Sequence, residues 1–306
     1  MSNQPAARPA TRCRRIVLAA LAMAAVFAAA CGTSTKALGP IAAPTRQADR
    51  YAAREQIVQV ASASFKKEFP ATVVTPAGYD DPALAGKRYP LLVLLHGADG
   101  DHRNWADKMD LKPLATKYGR IIVAPTAGPN SWWVDHPGNP PNFAETFVVK
   151  ELMAAMKTKF RIADAGDHWI AGNSMGGYGA LRIGLAHGEL FSAVGGLSAC
   201  IRPSRWGHKW DLTAAMGPPG GRTDLFRSAQ VSALAKKAPI LSIICGRRDS
   251  LFARENAATH AALSAAGIDH QWLDVDGRHN WEFWTAQLPK QLEYFQEQSE
   301  KTKSAG

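Results

Sequence analysis

Five apolar runs, Leu91–Leu95, Ile121–Ala124, Trp169–Ala171, Ala193–Leu197 and Ile240–Cys245, are continuous instead of alternating. Strands written this way must bury both faces, as in a parallel sheet covered by helices. Helical periods fall between them. Asn142, with Glu145 three residues on, forms a capping-box-like start, and Phe147, Met153, Met156 and Phe160 recur behind it at helical spacing. Ala257–Ala266 reads as a second helix closed by Gly267, and a third from Glu282 sets Trp284, Leu288, Leu292 and Phe295 on one face. The stretch around Ala71–Thr75 adds an edge hairpin. The expected class is therefore α/β, with a mostly parallel central sheet covered by helices on both faces.

Two stretches break this alternation. Ile201 to Thr223 holds Trp206, Trp210, Pro218, Pro219, Gly220 and Gly221 without a period. Long aperiodic loops in compact domains are often functional, so segment 201–223 is expected to be a lid or substrate wall; an irregular surface excursion is the plain alternative. At the other end, residues 1–15 carry four arginines and no acid, and Ile16 to Ala30 runs uncharged to Cys31-Gly32. As a helix that run reaches about 22 Å, short of the ~30 Å hydrocarbon core, so it reads as an export signal and not a spanning anchor.

The junction Ala28-Ala29-Ala30-Cys31-Gly32 resembles the lipobox of bacterial lipoprotein precursors, with Ala28 where leucine is usual. That resemblance implies lipidation of Cys31; ordinary cleavage after Ala30 is the alternative. Residues 31–50, rich in Ala, Thr, Pro and Gly, read as a tether, 51–300 as one domain, and 301–306 as a tail. The expected location is the periplasm or cell surface, with the membrane reached through a lipid on Cys31.

Charge changes this picture little. The formal +10 comes from 36 Lys and Arg against 26 Asp and Glu, but Arg8, Arg12, Arg14 and Arg15 leave with the export segment, giving 32 − 26 = +6. The other basic residues include isolated pairs, Lys66-Lys67, Lys236-Lys237 and Arg247-Arg248, and form no patch, so no nucleic-acid partner is expected. Four cysteines make no disulfide scaffold at this length. Cys200 and Cys245 each end an apolar run and read as buried free thiols; a disulfide would need those strands to be neighbours. No metal-ligand spacing or phosphate loop occurs, so neither a metal nor a cofactor is expected.

The chemistry centres on Gly172-Asn173-Ser174-Met175-Gly176-Gly177, a G-x-S-x-G string between an apolar strand and a small-residue helix start, Tyr178-Gly179-Ala180-Leu181. Such a turn exposes the serine above the sheet, and only glycine fits on either side of it. A neutral serine needs a base. Of nine histidines, His187, His260 and His270 lie at helix ends and read as surface residues, whereas His279 sits in a loop between a short strand and the last helix. The orienting acid is best placed at Asp249, directly after Ile240–Cys245; Asp274 and Asp276 are rivals too close in sequence to His279. The oxyanion needs two donors, assigned to the backbone amides of Met175 and of Ala98 in His96-Gly97-Ala98-Asp99-Gly100. His96 reads as structural.

These blocks, with Cys245-Gly-Arg-Arg-Asp249 and Gly277-Arg-His279-Asn-Trp281-Glu-Phe-Trp284, resemble the esterase D family. That family includes S-formylglutathione hydrolases, feruloyl and enterochelin esterases, and mycolyltransferases of the antigen 85 type. The resemblance spans about residue 70 to 295. It implies an α/β-hydrolase fold with the Ser174, Asp249 and His279 triad and the Ala98 and Met175 oxyanion hole. Asn173 and Ala98-Asp99 depart from the family pattern.

The expected function is a secreted serine carboxylesterase that forms an acyl-enzyme on Ser174 and acts on a small-molecule or carbohydrate ester. Acyl transfer of the mycolyltransferase type would use the same residues, and an inactive surface binding lipoprotein is the alternative from a different class. Trp132 and Trp133, after the Ile121–Ala124 run, and Trp206 and Trp210 are candidate substrate walls, with core packing as the other reading.

Overall fold

Within Leu91–Leu95, Leu91, Val93 and Leu95 enter one hydrophobic core while Leu92 and Leu94 enter another on the opposite face. The continuous apolar runs follow from this, since successive side chains point to opposite faces and both faces are dry. The computed structural model describes residues 51–138, 140–163, 167–227 and 239–305; the export segment, Cys31, the tether and Lys236-Lys237 lie outside them.

The main sheet has eight strands: β1 Arg54–Ser62, β2 Lys67–Thr75, β3 Leu91–Leu95, β4 Ile121–Pro125, β7 His168–Asn173, β8 Phe191–Leu197, β9 Ile240–Gly246 and β10 Gln271–Val275. A short ribbon, β5 Asp135–His136 and β6 Asn142–Phe143, stands apart. The sheet order is β1-β2-β4-β3-β7-β8-β9-β10. All strands from β4 across to β10 run parallel, and β2 is antiparallel to both β1 and β4, forming the expected edge hairpin. Parallel pairing brings the loops after β3, β7, β9 and β10 to one edge, where chemistry in such sheets is assembled.

Helices cover both faces. Helix α1 Asn104–Lys108, α2 Lys112–Tyr118 and the last helix bury Trp105, Leu114, Leu288, Leu292 and Phe295 against one face. On the other, α3 runs from Ala144–Thr146 through a π-helical stretch, Phe147–Leu152, into Met153–Lys159; α4 is Met175–Ala186. Short helix α5 is Leu212–Met216, α6 is Ala253–Ala265, and α7 is Trp281–Ala305, which takes in residues 301–305 of the expected tail.

Two local expectations are corrected. The capping box at Asn142 forms only by half: its Oδ1 accepts the Ala144 amide (3.3 Å) while its NH2 donates to Ser131 O (2.6 Å) and Ala215 O (3.3 Å), but Glu145 pairs with Arg182 and His187 instead of reaching back. Tertiary partners take Glu145 away from the local box. The helix expected at Ala257 begins four residues earlier, at Ala253. Cys200 and Cys245 are buried free thiols although β8 and β9 are neighbours. No helix among the described residues is long and apolar enough to cross a membrane.

Candidate active site

Strand β7 ends at Asn173 and α4 begins at Met175, leaving Ser174 alone at φ 56°, ψ −117°. A side-chain-bearing residue reaches that region only under constraint. Three backbone bonds hold it: Ser174 N donates to Leu197 O (2.9 Å), and Tyr178 N and Cys200 N donate to Ser174 O (3.0 and 3.3 Å). Glycine is required around it for space. A Cβ on Gly172 would lie 2.4 Å from Gly176 O, and one on Gly176 only 2.2 Å from Leu95 O. The turn thus seats α4 directly on the end of β3.

His279, from the loop between β10 and α7, places Nε2 3.0 Å from Ser174 Oγ and Nδ1 2.8 Å from Asp249 Oδ2. Asp249, after β9, is fully buried, and its Oδ1 accepts the amides of Leu251 and Phe252, both at 3.0 Å. Burial alone would raise the Asp249 carboxyl, but the bond and charge of His279, the Phe252 amide and the Ser198 hydroxyl together hold it below the ordinary carboxylate range. Because a carboxylate only accepts, Nδ1 of His279 carries the proton, which leaves Nε2 to accept from the serine hydroxyl in the neutral ring. Phe252 and Trp284 flank the imidazole edge-on at 5.1 and 4.9 Å.

The rivals are placed elsewhere. Asp276 is exposed and pairs with Arg248; His187 binds Glu145 and Glu189; His260 and His270 bond to each other at 2.9 Å. Asp274 lies in β10, beside Cys245 of β9 in the parallel register.

The loop after β3 meets the serine closely: a Cβ on Gly97 would stand 3.3 Å from Ser174 Cβ. Three groups fix this loop. The indoles of Trp105 and Trp133 donate to Leu95 O (3.1 Å) and His96 O (3.2 Å). His96, buried, donates from Nδ1 to Gly97 O (2.8 Å) and accepts from the Thr126 hydroxyl at Nε2 (3.1 Å). Burial lowers its pKa to about 4, so the ring is neutral and structural, as expected. Ala98 lines the cleft beside Ser174, and Met175 buries its side chain in the core at the head of α4.

Ser174 opens into a cleft of about 590 Å³ whose walls include Ala98, Asp99, Asn173, Trp210, Trp281 and Trp284. Of the four tryptophans expected there, only Trp210 lines it. Trp132 and Trp133 are buried, 1% and 0% exposed, and are scaffold. Both have positive φ, 54° and 56°, which turns them inward: Trp133 packs on Gly179 of α4, and Trp132 donates to Trp210 O (2.8 Å). Trp206 borders a neighbouring cavity. The sequence reading missed Trp281 and Trp284 as wall residues, and it missed Ser198, Leu251 and Phe252 around the acid. For Trp281, its place two residues after His279 was a usable signal; the amide donors leave none.

A family model described as "Putative esterase" matches residues 62–295. Among curated proteins, the acetyl esterase of Caldicellulosiruptor saccharolyticus is 28% identical over 231 residues, 68% of this chain and 84% of the relative. The diacylglycerol acyltransferase/mycolyltransferase Ag85A of Mycobacterium ulcerans is 27% identical over 243 residues, 66% of this chain and 72% of the relative. A solved ferulic acid esterase structure superposes with a TM-score of 0.67 at 25% identity, covering 80% of this chain and 99% of that one.

Proposed function

The chain belongs to the esterase family and is a serine hydrolase of ester bonds with an α/β-hydrolase fold, and we propose that it cleaves carboxylic esters through an acyl-enzyme on Ser174. The observation that carries this reading is the unbroken relay from Ser174 Oγ through His279 to Asp249, at 3.0 and 2.8 Å. His279 Nε2 takes the hydroxyl proton as Oγ attacks the ester carbonyl. Ionised Asp249 stabilises the imidazolium that forms and keeps the ring in the productive tautomer. The Ala98 and Met175 amides receive the oxyanion, with the N-terminus of α4 adding favourable potential. His279 then protonates the leaving alcohol oxygen, the C–O bond breaks, and water activated by the same nitrogen releases the acid and frees Ser174. A fluorophosphonate probe is expected to label Ser174 and p-nitrophenyl acetate to be turned over, with both lost in Ser174→Ala; full activity in that variant overturns the assignment.

A second reading, acyl transfer to an alcohol, is favoured by the similarity to the mycobacterial acyltransferase. The acyl-enzyme is common to both, and only the acceptor differs. Product analysis with an added sugar separates them, and free acid as the main product is the expected result. A binding lipoprotein without catalysis is disfavoured by the intact relay. Export with a lipid on Cys31 completes the proposal on the strength of the basic, then apolar, N-terminal segment. Incorporation of labelled palmitate in cells, absent in Cys31→Ser, is the expected result.

A further inference from the structure

Beside the catalytic cleft lies a second cavity of about 680 Å³, and Leu251 belongs to the walls of both. Its lining is charged. Arg202, Arg205, Arg227 and Arg254 stand against two carboxylates, Asp224 and Glu255, four positive charges to two negative. The carboxylates are the buried partners, with side chains 10% and 9% exposed, whereas Arg202 and Arg205 are more than half exposed. Each acid is committed to the fold: Asp224 accepts from Ser204 N and Oγ (3.0 and 2.6 Å), and Glu255 accepts from Arg202 N (3.2 Å). Their contacts with Arg202 and Arg205 are long, 3.8 and 3.9 Å, and made through Nε, away from the terminal fork. Among the described residues Arg254 has no ion pair. The acids therefore anchor the site and leave the terminal donors of Arg202, Arg205 and Arg254 to face an incoming anion.

The cavity's position relates it to the reaction. Leu251 and Phe252, whose amides hold Asp249, stand between the two spaces, and Phe252 contacts both His279 and Trp206, which lines the second cavity. The general acid must face the leaving oxygen. The alcohol portion of an ester thus lies on the histidine side, which this cavity adjoins.

We propose that this arginine-lined cavity binds an anionic group, carboxylate or phosphate, carried on the alcohol portion of the ester. The proposal rests on the esterase reading of the neighbouring serine. Selectivity arises from attraction at a distance from the scissile bond, so it acts on KM and spares the chemistry of small neutral esters.

The test uses the full chain and two matched esters, O-acetylated trigalacturonate and O-acetylated maltotriose, with p-nitrophenyl acetate as a reporter of the triad. At low salt the acidic ester is expected to show a kcat/KM higher by about tenfold or more, and Arg205→Ala/Arg254→Ala removes that preference while p-nitrophenyl acetate turnover is unchanged. Equal kcat/KM for the two esters by an enzyme that turns over p-nitrophenyl acetate overturns the proposal. Calorimetry with unesterified trigalacturonate, inorganic phosphate and maltotriose reads the cavity without any turnover, so a failed esterase reading is told apart from a failed cavity. Tighter binding of the trisaccharide than of phosphate identifies a carboxylate, and the reverse a phosphate. Binding of neither anion above the level of maltotriose overturns the proposal.

Discussion

The turn at residues 172–177 is held by backbone packed against the end of β3; residues 201–227, which bring Trp210 to the cleft, are held by side chains. In the first region, carbonyl oxygens of Leu95 and Gly176 occupy the space where a Cβ would stand, at 2.2 to 2.4 Å. In the second, buried Arg222 donates to Gly217 O, Pro203 O and Thr213 Oγ1 at 3.0 to 3.1 Å. Asn130 bridges Asp99 and Asp211 (2.9 and 3.0 Å), tying the second region to the loop after β3. The contrast teaches where precision resides. Ser174 is set by atoms that cannot move, and the cleft wall at Trp210 by a few polar contacts on otherwise irregular chain.

The strongest test of this contrast is catalytic. Ser174→Ala is expected to lower kcat/KM on p-nitrophenyl acetate by on the order of 10⁵-fold with Tm unchanged, whereas Trp210→Ala raises KM about tenfold and nearly spares kcat. A large kcat loss in the second variant would move chemistry into the wall. Next in size is Gly176→Ala, expected to cost ~4 kcal/mol or more because rigid backbone meets the new methyl, while Gly220→Ala stays within ~0.5 kcal/mol. Nothing lies within 4 Å of a Cβ at Gly220. Urea unfolding of the two variants reads this directly.

Acid should loosen β3 and β7, the strands beneath the turn, through buried histidines at their ends. Burial lowers both His96 and His168 to about 4. His168 Nδ1 accepts the Leu91 amide (3.1 Å), so a proton there breaks a bond at the head of β3. Folded values below the unfolded ~6.5 mean that the unfolded chain binds more protons between these limits. Stability is full above ~6.5 and falls as pH drops toward 4, by roughly 3 kcal/mol per histidine at the lower end. Denaturant midpoints that do not fall from pH 7 to 4.5 would contradict this. Arg222→Met is expected to cost about 2–3 kcal/mol and to raise KM, with Trp210 displaced. A smaller loss is expected of Trp133→Phe, which removes one indole donor from the β3 loop: about 1 kcal/mol, with kcat down severalfold if that loop aims an oxyanion amide.

Legibility followed the same division. The serine turn was readable because its steric demand falls on neighbours in sequence, Gly172 and Gly176 around Ser174. Asp249 and His279 were readable because each follows a strand at the edge where Ser174 stands. Trp132 and Trp133 were misplaced because their direction depends on two positive-φ residues in a turn, which no composition signals. Arg222 and Asp224 look like any surface charges until the fold closes around them.

By itself the sequence determined the doubly covered parallel sheet, the strained serine turn and the order in which Ser174, Asp249 and His279 follow their strands. These depend on periodicity and on spacing within a few residues, which are properties of the chain. Tertiary structure alone decided which tryptophans face the cleft, how the β3 loop is clamped, and that four arginines share a cavity next to it. Those outcomes hang on side chains far apart in sequence competing for the same space and the same buried hydrogen-bond partners, and that competition is resolved only when the chain is packed.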